Sequence, residues 1–182
     1  MPLRVNRSQV RLFLYGDYLY AFGGSAICAL NSTERMRWPA GSWEKLPDMR
    51  ERRVYPAVIG IKDKIFIMGG TNNTSIEYYD IPSNCFKLLT NVRVPMGVGA
   101  AGVLGNSIYV ICGAKLVRLN REFKLKEIKD KNWGGVDVIS DVLTYGKRMY
   151  YFDARAGNLI MFDGRREEIT YIEKNLIIYD YY

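Results

Sequence analysis

The fold of this chain is decided by residues 43–70, WEKLPDMRERRVYPAVIGIKDKIFIMGG. This segment reads as an aromatic strand ending at Leu46-Pro47, an arginine-rich crossing, and two apolar strands that are joined by a tight turn at residues 62–64. Gly69-Gly70 ends the second apolar strand. Runs of Val, Ile and Phe bounded by Pro, Asp and Gly are typical of short β-strands. Parts of the pattern recur on both sides, which indicates a repeat.

The turn and the strand that follows it occur four times, at residues 16–24, 62–70, 105–113 and 146–154. If Asp17, Asp63, Asn106 and Lys147 are equivalent, successive units are 46, 43 and 41 residues apart. A period of about 40–50 residues is that of propeller blades. The glycine that opens three of the turns suits the positive φ of a two-residue hairpin.

Each unit reads as four short strands, and the first two of them are the most apolar. No stretch combines a 3.6-residue apolar period with helix caps, so we expect almost no helix. The sequence therefore predicts one all-β domain over residues 1–182, built from about four radially arranged, four-stranded antiparallel blades. The predicted blades span Ser8–Leu46, Arg53–Leu89, Gly97–Ile128 and Ser140–Glu173, and residues 175–182 form a tail strand.

These units resemble the kelch repeat. The kelch unit runs from an arginine through an apolar strand to Ile-Tyr-Val-x-Gly-Gly, a Tyr-Asp strand, a Trp and a Leu-Pro turn. The second unit matches at Arg53, residues 65–70 and Tyr79-Asp80, with Phe86 in place of the Trp. Residues 18–24 and 43–47 match in the first unit and 109–113 in the third, whereas the fourth keeps the strand pattern. The resemblance implies a kelch-type β-propeller.

Four units are fewer than the five to seven blades with which kelch propellers usually close. Three arrangements follow: a partial propeller covered by another chain, a piece of a longer protein, or a tight ring of four blades. An open set would expose sheet surfaces that are prone to associate.

The overall composition restricts the class of partner. The net charge is +7, but the basic residues are scattered and lack interleaved aromatic residues, which argues against nucleic acid as a partner.

The chain has no run of 18 apolar residues, so no membrane span is predicted. Its three cysteines lie outside C-x-x-C pairs, which is typical of free thiols in a reducing compartment. An intracellular, cytoplasmic location is expected.

The sequence contains no histidine. This absence excludes Ser–His–Asp and Cys–His nucleophilic centres and metal sites that depend on imidazole. The Gly-Gly pairs are not followed by the Gly-Lys-Ser/Thr of a phosphate loop. We therefore expect no catalytic residue, metal or cofactor. The alternative is a small kelch-like enzyme that acts on an acidic sugar, a role for which Arg53, Glu51 and Glu77 are the candidate residues.

Two groups of residues are candidates for contact with a protein partner. The first is Arg50, Arg52 and Arg53, in the loop that enters the second unit. The second is Arg35, Arg37 and Trp38, in a segment (residues 31–42) that we expect to be an inserted loop. Guanidinium groups bind carboxylates in a forked geometry, so an acidic partner is predicted. Arg53 has an alternative interpretation as a framework residue of the repeat.

The sequence thus predicts a non-catalytic protein–protein interaction or scaffold module that is a subunit of a larger assembly. A second alternative is a substrate adaptor of a ubiquitin ligase, as many kelch proteins are. That role would require a cullin-binding segment from a second chain or from residues outside this sequence.

Overall fold

The computed structural model of the chain describes residues 2–112, 115–120, 122, 124–127, 142–153, 158–164 and 167–170. These residues form sixteen β-strands and no helix. The strands are β1 (Arg11–Tyr15), β2 (Tyr18–Phe22), β3 (Thr33–Arg37), β4 (Glu44–Lys45), β5 (Ala57–Ile61), β6 (Lys64–Met68), β7 (Ser75–Asp80), β8 (Cys85–Arg93), β9 (Gly99–Leu104), β10 (Ser107–Cys112), β11 (Lys115–Leu119), β12 (Leu125–Glu127), β13 (Val142–Tyr145), β14 (Arg148–Asp153), β15 (Asn158–Phe162) and β16 (Glu167–Thr170).

The strands pair in chain order into four antiparallel sheets of four strands each. We call them blade 1 (β1–β4), blade 2 (β5–β8), blade 3 (β9–β12) and blade 4 (β13–β16). This arrangement confirms the predicted all-β fold and its four four-stranded blades. The predicted tail strand at residues 175–182 lies outside the described residues.

The first two strands of every blade are joined by a two-residue turn. Tyr15 pairs with Tyr18 across the turn of blade 1, and Ile61 pairs with Lys64 in blade 2. Gly16 has a φ of 57° and Lys62 a φ of 54°. Both turns therefore adopt the left-handed backbone that the glycine pattern predicts, although in blade 2 a lysine occupies the position.

Among the described residues the hydrophobic core forms three layers, one at each junction between successive blades. Along β6, Ile65 and Ile67 contact blade 1, whereas Phe66 and Met68 contact blade 3. Successive side chains of a strand point to opposite faces, so a strand between two neighbours must be apolar throughout. This explains why residues 65–68 form a continuous apolar run. Each such side chain contributes about 1.5–3 kcal/mol when it is fully buried.

The innermost strands β1, β5, β9 and β13 pack side by side around a central channel of about 350 Å³. Small residues allow the close approach: a Cβ added to Gly99 would lie 2.8 Å from the backbone nitrogen of Ala57. Within the described chain, β1 contacts β5, β5 contacts β9, and β9 contacts β13. The four sheets do not close into a ring. The described blades therefore form an open propeller segment.

Cysteine reactivity provides a direct test of this packing. Cys112 is buried at the junction of blades 2 and 3, and burial raises the pKa of its thiol to about 12. At about pH 8 the reactive thiolate would be roughly 10⁻⁴ of the thiol, so we expect Cys112 to resist iodoacetamide in the folded chain. The exposed Cys28 should be alkylated.

Peptide mass spectrometry measures the outcome at each cysteine, and the same reaction in concentrated guanidinium serves as the control. Rapid alkylation of native Cys112 would contradict the described junction.

Candidate interaction surface

The loops of the propeller segment lie at its two opposite ends, and the residues predicted to contact a partner are divided between these ends. We call the end with Gly23-Gly24 and Gly69-Gly70 the glycine face, and the end with the two-residue turns the hairpin face. Residues 50–53 cross from blade 1 to blade 2 on the glycine face, because the Arg53 backbone carbonyl accepts a hydrogen bond from Gly24 N (2.8 Å).

Arg37 and Trp38 lie at the opposite end. Arg37 pairs with Tyr18 beside the first hairpin turn, and Trp38 N donates to the Asp17 carbonyl at 2.8 Å. The two predicted groups therefore do not form one surface.

Arg53 is completely buried, and its guanidinium is engaged by the interior of blade 2. Nε donates to Glu77 Oε1 at 2.9 Å, and Nη1 donates to the carbonyls of Gly69 at 2.7 Å and Ser75 at 2.9 Å. Burial lowers the pKa of Arg53, while the Glu77 carboxylate opposes that effect. Arg53 is therefore not accessible to a docking partner. The structure assigns it the framework role and removes it from the candidate surface.

The carboxylate of Glu77 also holds the crossing itself. Its Oε2 accepts a hydrogen bond from the backbone N–H of Arg50 at 2.7 Å, and its Oε1 accepts one from Glu51 N–H at 3.4 Å. The buried ion pair thus fixes the backbone from which the exposed side chains of Arg50 and Arg52 project. Orientation of these two arginines therefore depends on a residue in the next blade.

Blade 1 contains a second ion pair of the same design. Arg7 Nη2 contacts Glu34 Oε1 at 2.5 Å, and Arg7 Nη1 donates to the carbonyls of Gly23 and Ser32, each at 2.9 Å. Glu34 also accepts a hydrogen bond from the backbone N–H of Arg4 at 2.7 Å. Both charged side chains are almost completely buried. The same set of contacts therefore occurs in two successive blades.

The sequence analysis missed this ion pair, although its signal is present. The motif Arg-x-x-Arg occurs at residues 4–7 and 50–53, and its second arginine lies 16 residues before Gly23 and Gly69 respectively. Blade 3 lacks the charges: Met96 stands at the position of Arg53, and the buried Val117 at the position of Glu77. An apolar residue thus replaces the buried acid in that blade.

The exposed part of the glycine face combines basic and apolar groups. Ile27 is fully exposed in the β2–β3 loop, and Arg52 Nη1 lies 3.3 Å from the sulfur of the neighbouring Cys28. That loop covers residues 23–32 and is longer than the matching loop at residues 69–74 in blade 2. We call Arg50, Arg52 and Ile27 the crossing surface. Ile27 was not predicted, and the extra length of its loop is the signal that could have revealed it.

The hairpin face places the other predicted residues differently from the expected loop. Strand β3 occupies Thr33–Arg37, so the expectation of an insertion at residues 31–42 is wrong. Arg35 stacks on the Tyr18 ring at 4.5 Å and pairs with Glu44 at 2.6 Å. Arg37 and Trp38 are exposed at the end of the strand. The segment was misread because β3, the third of the four strands in blade 1, contains polar residues such as the buried Glu34 and lacks an apolar run.

The described residues do not assemble an acid–base centre in the central channel. Its lining is apolar apart from Arg11 and Thr144. Arg11 donates to the backbone carbonyls of Pro56 at 3.0 Å and Gly99 at 2.5 Å, so its guanidinium ties three blades together. Within the described part of the chain, no cluster of Cys, Asp and Glu could hold a metal ion. Those residues also contain no helix with the length and hydrophobicity that a membrane crossing requires.

Comparison with known proteins gives concordant results. The profile of the Kelch motif matches residues 52–93, which include blade 2. An F-box/kelch-repeat protein of Arabidopsis thaliana is 27% identical over 140 residues, which are 71% of this chain and 34% of that protein. Kelch-like protein 7 of Rattus norvegicus is 33% identical over 76 residues, which are 40% of this chain and 13% of that protein. The chain thus spans about a third or less of these relatives.

Among solved structures, that of YjhT covers 95% of this chain and 68% of its own chain, with a TM-score of 0.78 and 12% identity. This similarity supports the propeller fold. This chain thus contains a Kelch motif at residues 52–93 and is similar to kelch-repeat proteins over a larger part of its length.

Proposed function

We propose that this chain is a non-catalytic protein–protein interaction or scaffold module and a subunit of a larger assembly. The proposal is based on the composition and the fixed backbone of the crossing surface. Arg50 and Arg52 project from a backbone that the buried Glu77 holds, and the fully exposed Ile27 lies in the adjacent loop. Arginine beside an exposed apolar side chain is a composition enriched in protein interfaces.

The partner that fits this surface is a protein segment that combines carboxylates with an apolar side chain. The two guanidinium groups would bind the carboxylates, and the apolar side chain would cover Ile27. Because the Glu77 carboxylate fixes the crossing before the partner arrives, less conformational entropy is lost on binding. We also propose that another chain covers the open edges of the propeller segment.

A finer assignment is a substrate adaptor of a ubiquitin ligase, which is favoured by the F-box in the name of one relative. In that role this chain would supply the substrate-binding propeller, and the contact to the ligase would come from elsewhere. The sugar-enzyme alternative is not proposed, because Glu77 is buried in its ion pair and no carboxylate lines the described channel. Three free cysteines are compatible with the proposed intracellular location.

Charge reversal of the crossing surface tests the proposal. We expect the double variant Arg50→Glu/Arg52→Glu to bind a synthetic peptide of mixed Glu and Leu at least tenfold more weakly, since a hydrogen bond between charged groups contributes about 1.5–3 kcal/mol. Fluorescence anisotropy of the labelled peptide measures the change. The Arg37→Glu variant carries a reversed charge on the hairpin face and is the matched control.

Circular dichroism should be the same for all three proteins, because these arginines are exposed. Equal peptide affinities of the wild type and the double variant, or an equal loss in the Arg37→Glu control, would refute the crossing surface.

A further inference from the structure

The three junctions between successive blades differ at their hairpin ends. The last residue of the first strand, directly before the two-residue turn, is Tyr15 in blade 1, Ile61 in blade 2 and Leu104 in blade 3. In each blade this side chain belongs to the face that packs on the following blade. One residue position therefore determines how the hairpin end of each junction is filled.

Tyr15 closes the hairpin end of the junction between blades 1 and 2. Its ring lies directly on Gly60, where an added Cβ would be 2.2 Å from a ring carbon. Its hydroxyl donates a hydrogen bond to the backbone carbonyl of Lys62, in the turn of the following blade, at 2.7 Å. Gly60 is the next-to-last residue of β5, and its lack of a side chain provides the space for the ring. At this junction a tyrosine of the chain itself thus occupies the gap between two hairpin turns.

The same end of the junction between blades 2 and 3 is open. By strand register, Ile61 stands in place of Tyr15 and Val103 in place of Gly60. An isoleucine is shorter than a tyrosine and has no hydroxyl, so it cannot make the equivalent contact with the next turn. A cleft of about 580 Å³ remains between the turns of the two blades. Because blades 2 and 3 are consecutive and pack on each other, no further blade can enter between them.

The cleft has the size and the layered composition of a binding site. Phe66, Val103 and Ile108 provide apolar surface, and Phe66 and Ile108 are buried at its floor. The polar residues of the turns surround its mouth, among them Asn106 and the exposed Lys62. Pockets that bind small groups typically have volumes of about 300–1,000 Å³ and combine an apolar lining with a few polar groups. The cleft therefore fits an aromatic side chain that carries polar neighbours.

The charges at the mouth of the cleft favour a carboxylate. Lys62, Lys64, Asp63 and Asp80 are the charged residues among those that line it. Asp80 is paired with Lys87 at 3.5 Å, so its charge is already compensated. The two lysines then outweigh Asp63, and an ammonium group offers three hydrogen-bond donors to an acceptor. A ligand with an acidic group beside its aromatic ring is thus complementary to this mouth.

We propose that this cleft, on the hairpin face between blades 2 and 3, binds a tyrosine side chain of a partner protein that is flanked by acidic residues. The ring would lie on Val103 and Phe66, as the Tyr15 ring lies on Gly60. Its hydroxyl would face the turn at Gly105, which is the position equivalent to Lys62 and has nearly the same φ, 57° against 54°. The flanking carboxylates would contact Lys62 and Lys64. This site lies at the opposite end of the propeller segment from the crossing surface, and it goes beyond the function proposed above.

Peptide binding to the full chain tests the proposal. We expect a fluorescein-labelled Gly-Glu-Tyr-Glu-Gly peptide to bind saturably below about 1 mM, as measured by fluorescence anisotropy. The same peptide with alanine in place of tyrosine should bind at least roughly tenfold more weakly, because it buries no ring. In methyl NMR spectra, the unlabelled peptide should shift the signals of Ile61 and Val103. The methyl signals of Ile27, on the crossing surface, are the internal control and should not move.

Two variants of the chain locate the site independently. Ile61→Tyr/Val103→Gly transfers the pair found at Tyr15 and Gly60 to the second junction, so it should fill the cleft and weaken peptide binding at least roughly tenfold. Lys62→Glu/Lys64→Glu should weaken it to a similar extent by charge repulsion, on the order of tenfold or more. Lys147→Glu reverses a charge in the corresponding turn of blade 4 and is the matched control, which should bind like the wild type. Circular dichroism verifies that each variant is folded.

The outcomes separate this site from its alternatives. A chain that does not bind the peptide, or equal affinities for the tyrosine and alanine peptides, would overturn the proposal. Equally tight binding of free 4-hydroxyphenylacetate would overturn the protein partner in favour of a small aromatic acid. Arg50→Glu/Arg52→Glu should retain the affinity for the tyrosine peptide. A loss in that variant, or NMR shifts at Ile27 alone, would place the peptide on the crossing surface and overturn the cleft, so the two proposals can fail separately.

Discussion

Replacing Arg53 with methionine is expected to destabilise the chain by about 3–5 kcal/mol, since removal of one member of a buried ion pair leaves the other charge without compensation. Both side chains of the Arg53–Glu77 pair are completely buried. The guanidinium also supplies hydrogen bonds to the Gly69 and Ser75 carbonyls, which would lose their partner. For a chain of this size the loss corresponds to a melting temperature roughly 6–20 °C lower.

Urea denaturation followed by circular dichroism measures the change, and a double-mutant cycle separates the pair from its surroundings. The double variant Arg53→Met/Glu77→Val carries the residues of the equivalent positions in blade 3, Met96 and Val117. We expect it to regain part of the loss, because it leaves no uncompensated buried charge, whereas the Gly69 and Ser75 carbonyls and the Arg50 N–H still lose their side-chain partners. Glu44→Gln, which breaks the partly exposed pair with Arg35, should cost less than about 1 kcal/mol. A loss of that small size for Arg53→Met would refute the stabilising role of the pair.

Gly23→Ala is expected to destabilise the chain by more than about 3 kcal/mol, because two separate costs add at this position. Its φ of 60° is unfavourable for any residue with a Cβ. An added Cβ would also lie 2.3 Å from the backbone carbonyl oxygen of Arg53. A backbone atom cannot rotate away as a side chain can, so the junction of blades 1 and 2 would have to shift.

Gly16→Ala is the matched control for that variant. Gly16 has a similar φ of 57°, but no atom lies within 4 Å of an added Cβ. We expect it to cost about 1 kcal/mol, which is the conformational part alone. Thermal melting of the two variants isolates the contact. Equal losses at the two positions would show that the approach of the Arg53 carbonyl is not energetically important.

The blade architecture could be predicted from sequence because its information is local. The apolar run at residues 65–68 shows that both sides of that strand are buried, and the turn at Gly16-Asp17 specifies a hairpin. The small residues at 99–102 are a further local signal, because Gly99 lies so close to Ala57 that an added Cβ would be 2.8 Å from the Ala57 backbone nitrogen. Each of these signals depends on neighbours only a few residues away in the chain.

The candidate site was predicted less well, since its geometry depends on residues far apart. Arg50, Arg52 and Arg53 are adjacent in sequence, and only Glu77, in the next sheet, determines that Arg53 is buried. Likewise, Arg37 precedes Arg50 by only 13 residues in the chain, yet it lies at the end of strand β3 beside the hairpin turn, at the opposite end of the propeller segment. Antiparallel pairing reverses the chain and sends nearby residues to opposite faces of the propeller.

The sequence by itself determined the repeat and the strands and turns within it. Its lack of histidine also excluded nucleophilic centres and metal sites that depend on imidazole. Those properties follow from side-chain polarity and backbone preference, which act within a few residues. The tertiary structure alone decided which arginines remain exposed, that Ile27 accompanies them, and that a cleft remains open at the hairpin end of the junction between blades 2 and 3. Burial of a side chain is a property of the sheets that pack around it, and their positions are set only when the blades assemble.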